Sequence, residues 1–489
     1  MILTGEPEQA NGERATLDQL FRRAAVRCPD ALALADPPNR GAWTEGAARQ
    51  LTFLQADRAI WAMAARLRAL GLQTDAVVAL QLPNTVEHVL ALLGILRAGM
   101  IAALVPPLWR SIDMTAALSA VGAKAIVTTA KLDGEQPRQE AMRTAAGVFS
   151  VRHVLAFGRG IADGVVALDD IFDEAVSPAF CNVERSGNPA AHIAAITFDT
   201  TVEGIVPVAR NHCELIAGGL AVVLEGRLAP DRALLSAIPL ASFAALSASL
   251  VPWLIGGGTL ALHQPFDAAA FAQQQHDHRC GTIVVPQALA ERLAAGGVTT
   301  IALWRAPEQL SGHEAVEIPS AVLDVIAFGE VGLIAASRDP QSVSSPIARG
   351  VIVAPSGSPQ AIRMIETTRI GGRLALRGPM VPAAAFPVGR GRGCAEFEID
   401  EHGFVDTAYP CRADGEHLIV SGPQPGIVGI GGIRFSRAGL DAPPAGTGMI
   451  AAVPNALLGQ RLAGSGKLAS EGHHALLAQA FRPRAGNAA

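Results

Sequence analysis

Lysine is nearly missing from this chain. Only Lys124, Lys131 and Lys467 occur, and the rest of the 39 basic side chains are arginine. None lies between Lys131 and Lys467, so chemistry that needs a lysine amine in the middle of the chain is excluded. Cysteine is scarce too. The six are scattered singly with no CxxC pair, which excludes a zinc knuckle or a dithiol redox motif and leaves no disulfide framework. Excess basic charge is also lacking: a net charge of -5 and a pI near 6.2 give no reason to expect nucleic acid as a partner. The segment Met1 to Glu13 has neither the basic start nor the apolar run of a secretory signal, so a cytoplasmic location is expected.

What is present is apolar surface. Half of the 489 residues are hydrophobic and 17% are charged, which suits a large buried interior and at least two domains rather than a disordered chain. Ala237 to Leu262 carries no charge and is long enough to span a bilayer. Pro239, Pro252 and Gly256-Gly257-Gly258 interrupt it, so it reads as a buried helix with a following strand and no membrane span.

The periodicity alternates. Leu17 to Arg27, Thr52 to Leu70, Val86 to Ala98 and Met114 to Val121 have helical spacing, while Val77 to Leu82, Ile101 to Val105 and Ala125 to Thr128 read as buried strands. The rhythm returns in strands Leu234 to Ile238, Thr259 to His263 and Thr282 to Val285. Helices are expected at Phe243 to Leu254, Asp267 to His276 and Gln287 to Leu293. Such alternation predicts an α/β fold of parallel-rich sheets flanked by helices. From about Ala348 the texture becomes short β-like runs, Gly350 to Ala354, Arg373 to Leu376, Ala395 to Ile399 and His417 to Val420, which predicts a small barrel-like section. The expected organisation is a large domain over 1–421 (α/β layers over 1–347, a β-rich section over 348–421). A hinge near Ser421 to Gly426 and a shortened C-terminal domain over 422–489 follow.

Several segments, in order, resemble the adenylate-forming (AMP-binding) acyl-CoA synthetases. They are Thr16-Leu17-Asp18-Gln19-Leu20-Phe21, Leu51-Thr52-Phe53, Leu82-Pro83-Asn84-Thr85-Val86-Glu87 with Leu96-Arg97-Ala98-Gly99, Val284-Val285-Pro286-Gln287, Gly372-Arg373-Leu374 and Gly431-Gly432-Ile433-Arg434. The resemblance implies that family's fold and reaction. A carboxylate attacks ATP with magnesium to give an acyl-adenylate, which a thiol, usually coenzyme A, then displaces. It implies a small-molecule carboxylate or acyl-CoA as ligand.

The nucleotide-handling positions depart from the family. Its phosphate loop is a Ser/Thr/Gly-rich run ending in Pro-Lys-Gly; here Asp199-Thr200-Thr201-Val202-Glu203-Gly204-Ile205-Val206-Pro207 has no lysine. Asp199 and Glu203 would put carboxylates where a triphosphate sits. Thr200, Thr201 and Gly204 are what remains to touch a nucleotide, and the alternative reading is a surface β-turn leading to a helix opened by His212 and Leu215. Ser242 and Phe243 occupy the place of the histidine beside the acyl pocket, but a helix start capped by Ser242 is the preferred reading.

In Ala327-Phe328-Gly329-Glu330-Val331-Gly332, Phe328 and Gly329 match the adenine-side aromatic-glycine pair. Glu330 is the metal-side carboxylate if two residues are deleted; otherwise Val331 and Gly332 replace the Thr-Glu pair. At the ribose motif Thr407 is kept and Tyr409 replaces the aspartate, removing charge-assisted hydrogen bonds. Lys467, in Ser465-Gly466-Lys467, stands for the closing catalytic lysine only if a deletion shortened the preceding segment; a chance match is the preferred reading.

His276-Asp277-His278 and His473-His474 read as solvated positions, and Gly389 to Gly393 as a surface loop. The expectation is therefore an acyl-CoA synthetase-like chain with eroded ATP motifs, a pseudoenzyme retaining acyl or acyl-CoA binding. The alternatives are an active ligase with a rewired ATP site, or a structural protein partner of an active synthetase.

Overall fold

The computed structural model describes residues 15–464 apart from 108, 110, 161–162, 174–186, 294–296, 306–321, 339–346, 356–360, 387–394, 422–423, 425, 431–432, 437–449 and 456–458. Lys467, His473-His474 and Gly389 to Gly393 thus lie outside the described residues.

Two parallel-rich sheets form the body. One has seven strands in the spatial order Val165–Ala167, His153–Phe157, Ala125–Thr129, Val77–Leu80, Ile101–Leu104, Ile193–Thr201 and Gly204–Asn211. Only the last pair is antiparallel. The second has eight, in the order Gly332–Ser337, Val322–Phe328, Thr299–Arg305, Thr282–Pro286, Leu234–Ser236, Leu260–Leu262, Leu32–Ala35 and Gln50–Thr52, antiparallel only at its two edges.

Strand alternation decides which core each residue joins. Val78 and Leu80 face the helices Phe53–Ala69 and Val86–Arg97, whereas Val77 and Ala79 face Met114, Leu118 and Ala141 on the other side. Burial on both faces explains why these strands read as unbroken apolar runs.

The uncharged stretch Ala237 to Leu262 is a buried helical run followed by the strand Leu260–Leu262. It is α-helical over Phe243–Ala245 and Val251–Gly256 with a π-helical turn, Leu246–Leu250, between them. No helix among the described residues is long and apolar enough to cross a membrane.

A third, antiparallel sheet of six strands spans Ile347 to Val420 in the order Ile347–Ala348, His417–Val420, Val405–Asp414, Arg373–Arg377, Arg363–Ile370 and Gly350–Val353. Ala395 to Ile399 is not a strand; it runs irregularly, with Ala395 N–H donating to the Ile205 carbonyl of the first sheet. Its alternation satisfies a half-buried loop as well as a ladder. Two hairpins follow, Ile427–Ile430 with Ile433–Ser436, and Ile450–Asn455 with Gly459–Gly464.

Polar side chains stitch the two main sheets together where their strands end. Asn84 donates from its backbone to Gln264 Oε1 (2.7 Å) and from its side chain to the Ser236 carbonyl (2.9 Å). His263 Nδ1 faces Gln274 Oε1 at 3.2 Å while its Nε2 accepts from Asp267 N–H at 3.1 Å, which fixes a neutral ring. His88 Nδ1 faces the Leu82 and Pro83 carbonyls. Burial pushes both histidines from 6.5 down to about 4.

Between pH 6.5 and 4 the unfolded chain therefore takes up protons that the folded chain refuses. This part of the stability is complete above pH 6.5 and is lost as pH falls through 4. In urea unfolding followed across that range, the His88→Gln/His263→Gln double variant is expected to lose less stability than the wild type. The difference is up to about 1.4 kcal/mol per pH unit for each histidine replaced. Parallel losses in the two proteins would contradict buried neutral rings.

Candidate functional site

The site is built where the hairpin ending the first sheet meets the edge hairpin of the second. Ile193–Thr201 and Gly204–Asn211 pair down to Thr201↔Gly204, leaving only Val202-Glu203 as the turn. A phosphate loop works by presenting unspent backbone N–H groups in a concave run. Here the same stretch is zipped into a ladder. Thr201 Oγ1 donates to the Gly204 carbonyl (3.0 Å) and accepts from Glu203 N–H (3.2 Å), so its hydroxyl closes the turn. Gly204 sits at φ +132°, a backbone position that favours glycine.

Asp199 does not face the space outside the turn. It is buried, and its carboxylate accepts from Thr200 N–H and Glu330 N–H, both at 2.9 Å. Glu330 lies in the tight turn between Val322–Phe328 and Gly332–Ser337, entered through Gly329 at φ +58°. Its carboxylate Oε2 accepts from Phe243 N–H at 2.7 Å. Ser242 caps the helical run, its Oγ accepting from Ala245 N–H at 3.2 Å. Ser242, Phe243, Glu330, Gly329 and Phe328 are thus brought together with Asp199, while Thr200, Thr201 and Gly204 run out to the hairpin tip.

Arg210 ties these pieces, and it was not among the residues expected from sequence. It sits one residue before Asn211, which caps the helix His212–Glu225 in a reciprocal bond with Glu214. Its guanidinium is buried, lies 3.7 Å from the Phe243 ring centre, and donates to the carbonyls of Glu330 (2.5 Å), Val331 (2.7 Å) and Met380 (3.1 Å). Burial lowers it to about 10, against the opposing pull of Glu330, Glu214 and Asp199, so it stays cationic at neutral pH. Glu214 is pushed up by burial, opposed by the N–H groups of Asn211 and Ala383 that it accepts and by Arg210. The one available signal was a lone arginine closing the otherwise apolar run Ile205 to Ala209.

The ribose-motif region lies alongside. Thr407 is buried; its hydroxyl donates to the Leu374 carbonyl (2.7 Å) and accepts from Tyr409 N–H (3.3 Å), and its own carbonyl accepts from Gln424. Tyr409 packs edge-on against Phe328 with ring centres 5.6 Å apart. Asp406 is exposed and pairs with Arg373 at 2.8 Å.

The residues present do not fit ATP and magnesium. Both candidate carboxylates hold backbone N–H groups, the turn's backbone is in a ladder, and the ribose-side hydroxyl is bonded internally. No cluster of three or more metal-ligating side chains occurs among the described residues.

The architecture nevertheless has close parallels. Along 96% of the chain and 90% of its own length, the apo structure of Mycobacterium smegmatis MbtA superposes with a TM-score of 0.64 at 21% identity. ATP-bound MatB from Rhodopseudomonas palustris superposes with a TM-score of 0.61 at 19% identity, over 92% of this chain and 88% of that one. The chain has the adenylate-forming fold. Residues 21–198 match the AMP-binding enzyme family, so the sequence resemblance is borne out.

A 2-hydroxy-7-methoxy-5-methyl-1-naphthoate–CoA ligase from Streptomyces carzinostaticus is 28% identical over 285 residues, 56% of this chain and 49% of that protein. A long-chain-fatty-acid–CoA ligase from Yersinia pestis is 37% identical over 123 residues, 25% of this chain and 20% of that protein. The chain spans about half the length, or less, of the curated relatives it matches.

Replacing Arg210 by Met leaves three carbonyls and the surrounding acids without their cation. A loss of roughly 3 kcal/mol in urea unfolding is expected. Arg210→Lys recovers only part, since an ammonium lacks the planar fork. A change for Arg210→Met below about 0.5 kcal/mol would contradict the tie.

Proposed function

We propose that this chain is an acyl-CoA synthetase-like protein of the AMP-forming ligase class that has lost adenylation and keeps an acyl-binding body. The observation that carries the reading is the inward closure of the nucleotide-side residues. Asp199 holds Glu330, Glu330 holds Phe243, and Arg210 holds the turn that contains Glu330. The Asp199 and Glu330 carboxylates and the Thr201 hydroxyl are engaged with backbone instead of a triphosphate or its metal. Lysine is missing from the whole region, and Arg210, the cation described beside it, is buried with its guanidinium donating to backbone carbonyls.

The acyl side has a different character. Phe243 belongs to the apolar core, and Ser247 and Gly218 pack closely beside it where the helical run from Phe243 meets the helix His212–Glu225; in this reading an acyl group would have apolar neighbours there. The ligand in this reading is a small acyl compound or acyl-CoA. In this reading the large unit ends near residue 421. Free thiols at Cys28, Cys213, Cys280 and Cys411 suit a reducing, cytoplasmic setting.

Two measurements test this. ATP–pyrophosphate exchange across a panel of aliphatic and aryl carboxylates is expected to give no signal above background. Addition of ATP and magnesium is expected to leave the melting temperature unchanged, because a ligand that does not bind the native state cannot stabilise it. Exchange with any carboxylate, together with a rise in melting temperature, would identify an active ligase with a rewired site.

A further inference from the structure

Valine is a poor residue for the tip of a tight hairpin, where Gly, Asn, Asp and Ser prevail. Val202 nevertheless stands there, between the last paired residues Thr201 and Gly204, and is 61% exposed. What it touches lies far along the chain. Gly426 sits against it so closely that a Cβ at that position would fall 2.7 Å from Val202 Cγ1. Gly426 is also at φ +75°, so a side chain there is excluded twice, by the backbone and by the valine.

The linker around Gly426 is held by the third sheet as well. Ser421 donates to the Pro410 carbonyl from its backbone (2.9 Å) and from its hydroxyl (3.1 Å). Gln424 is buried and its Nε2 donates to the Thr407 carbonyl, while its own carbonyl accepts from Ile427 N–H at 3.1 Å. Ile427 is buried too. Thr407 and Pro410 belong to the strand Val405–Asp414, so the linker touches both that strand and the hairpin tip.

The chain beyond is attached in series. Ile433–Ser436 lies beside Ile193–Thr201 without joining its ladder, and Ile427–Ile430 lies beside Gly459–Gly464 of the second hairpin. The Pro/Gly-rich run that reads as a hinge in the sequence is therefore tied at Thr407, Pro410 and Val202.

We infer that the hairpin tip is a clasp: Val202, together with Gln424, holds the linker on the large domain and keeps both C-terminal hairpins in one orientation without a ligand. This goes beyond the proposed function, which concerns what the site binds, and does not require it. The clasp gives the turn at Val202-Glu203 a use for which its ladder must stay closed, since opening it would withdraw Val202 from Gly426.

Hydrogen exchange read by mass spectrometry on the full chain tests this, with peptides carrying the Ser421 and Ile427 amides as reporters. In the wild type these amides are expected to be protected. Val202→Ala keeps the turn but removes the methyl that meets Gly426, and Gln424→Ala removes the bond to Thr407. Each is expected to speed exchange over 421–436 at least about threefold, with the ladder of Ile193–Thr201 and Gly204–Asn211 exchanging as before. Val26→Ala, at a still more exposed valine on the helix Leu17–Arg27, is expected to leave 421–436 unchanged.

Unprotected reporter amides, exchange unmoved by Val202→Ala or Gln424→Ala, or an equal effect of Val26→Ala would each overturn the clasp. ATP with magnesium is expected to change nothing in this segment. Faster exchange on adding them would mean that the tip leaves Gly426 for a phosphate, which sinks the clasp and the proposed function together. Pyrophosphate exchange by a chain whose reporters stay protected and respond to Val202→Ala sinks the proposed function alone.

Discussion

A guanidinium cannot discharge itself inside a protein as a carboxyl can, so a buried arginine must be solvated by the chain that buries it. Arg210 is solvated by the carbonyls of Glu330, Val331 and Met380 and by the face of Phe243. Those partners come from the edge turn of the eight-stranded sheet, from a residue just beyond the strand Arg373–Arg377, and from the helical run that begins at Phe243. One side chain on the last strand of the seven-stranded sheet therefore fixes the mutual position of all three sheets.

The carboxylates complete the arrangement. Asp199 and Glu330 satisfy N–H groups at the turn at Glu330 and at the start of the helical run, which would otherwise be buried and unpaired. Glu214 does the same for Asn211 and Ala383. The group carries more acid than base, which the chain tolerates because each acid accepts N–H dipoles as well as facing the cation. Acids that look repulsive toward a triphosphate in the sequence act in the structure as ligands for backbone. In the proposed reading the obstacle to nucleotide binding is occupancy of the site by the chain itself, with charge repulsion remaining at the exposed Glu203.

Much of the fold was legible because it depends on local rules. The run Val86–Arg97 is buried throughout and starts after the Pro83-Asn84 turn; the strands Val77–Leu80 and Ile101–Leu104 are continuous apolar runs; Gln287–Leu293 has the bounds its spacing predicts. Ser242 as a helix cap was readable for the same reason. The polar group was not, because its bonds join residues more than eighty positions apart. Nothing local tells Asp199 to turn toward Glu330, or Glu330 toward Phe243. Arg210 was passed over because an arginine at the end of a strand is ordinarily solvated. Ala395 to Ile399 misled in the opposite direction, since its pattern fits a strand but among the described residues it forms no ladder.

A crystal grown with ATP and magnesium in large excess tests the central claim most directly. The account predicts Arg210 still stacked on Phe243, the Thr201–Gly204 end of the hairpin still paired, and no nucleotide density beside it. Triphosphate density along Thr200 to Gly204, with that ladder opened and the Asp199 carboxylate turned away from Glu330 N–H, would contradict it.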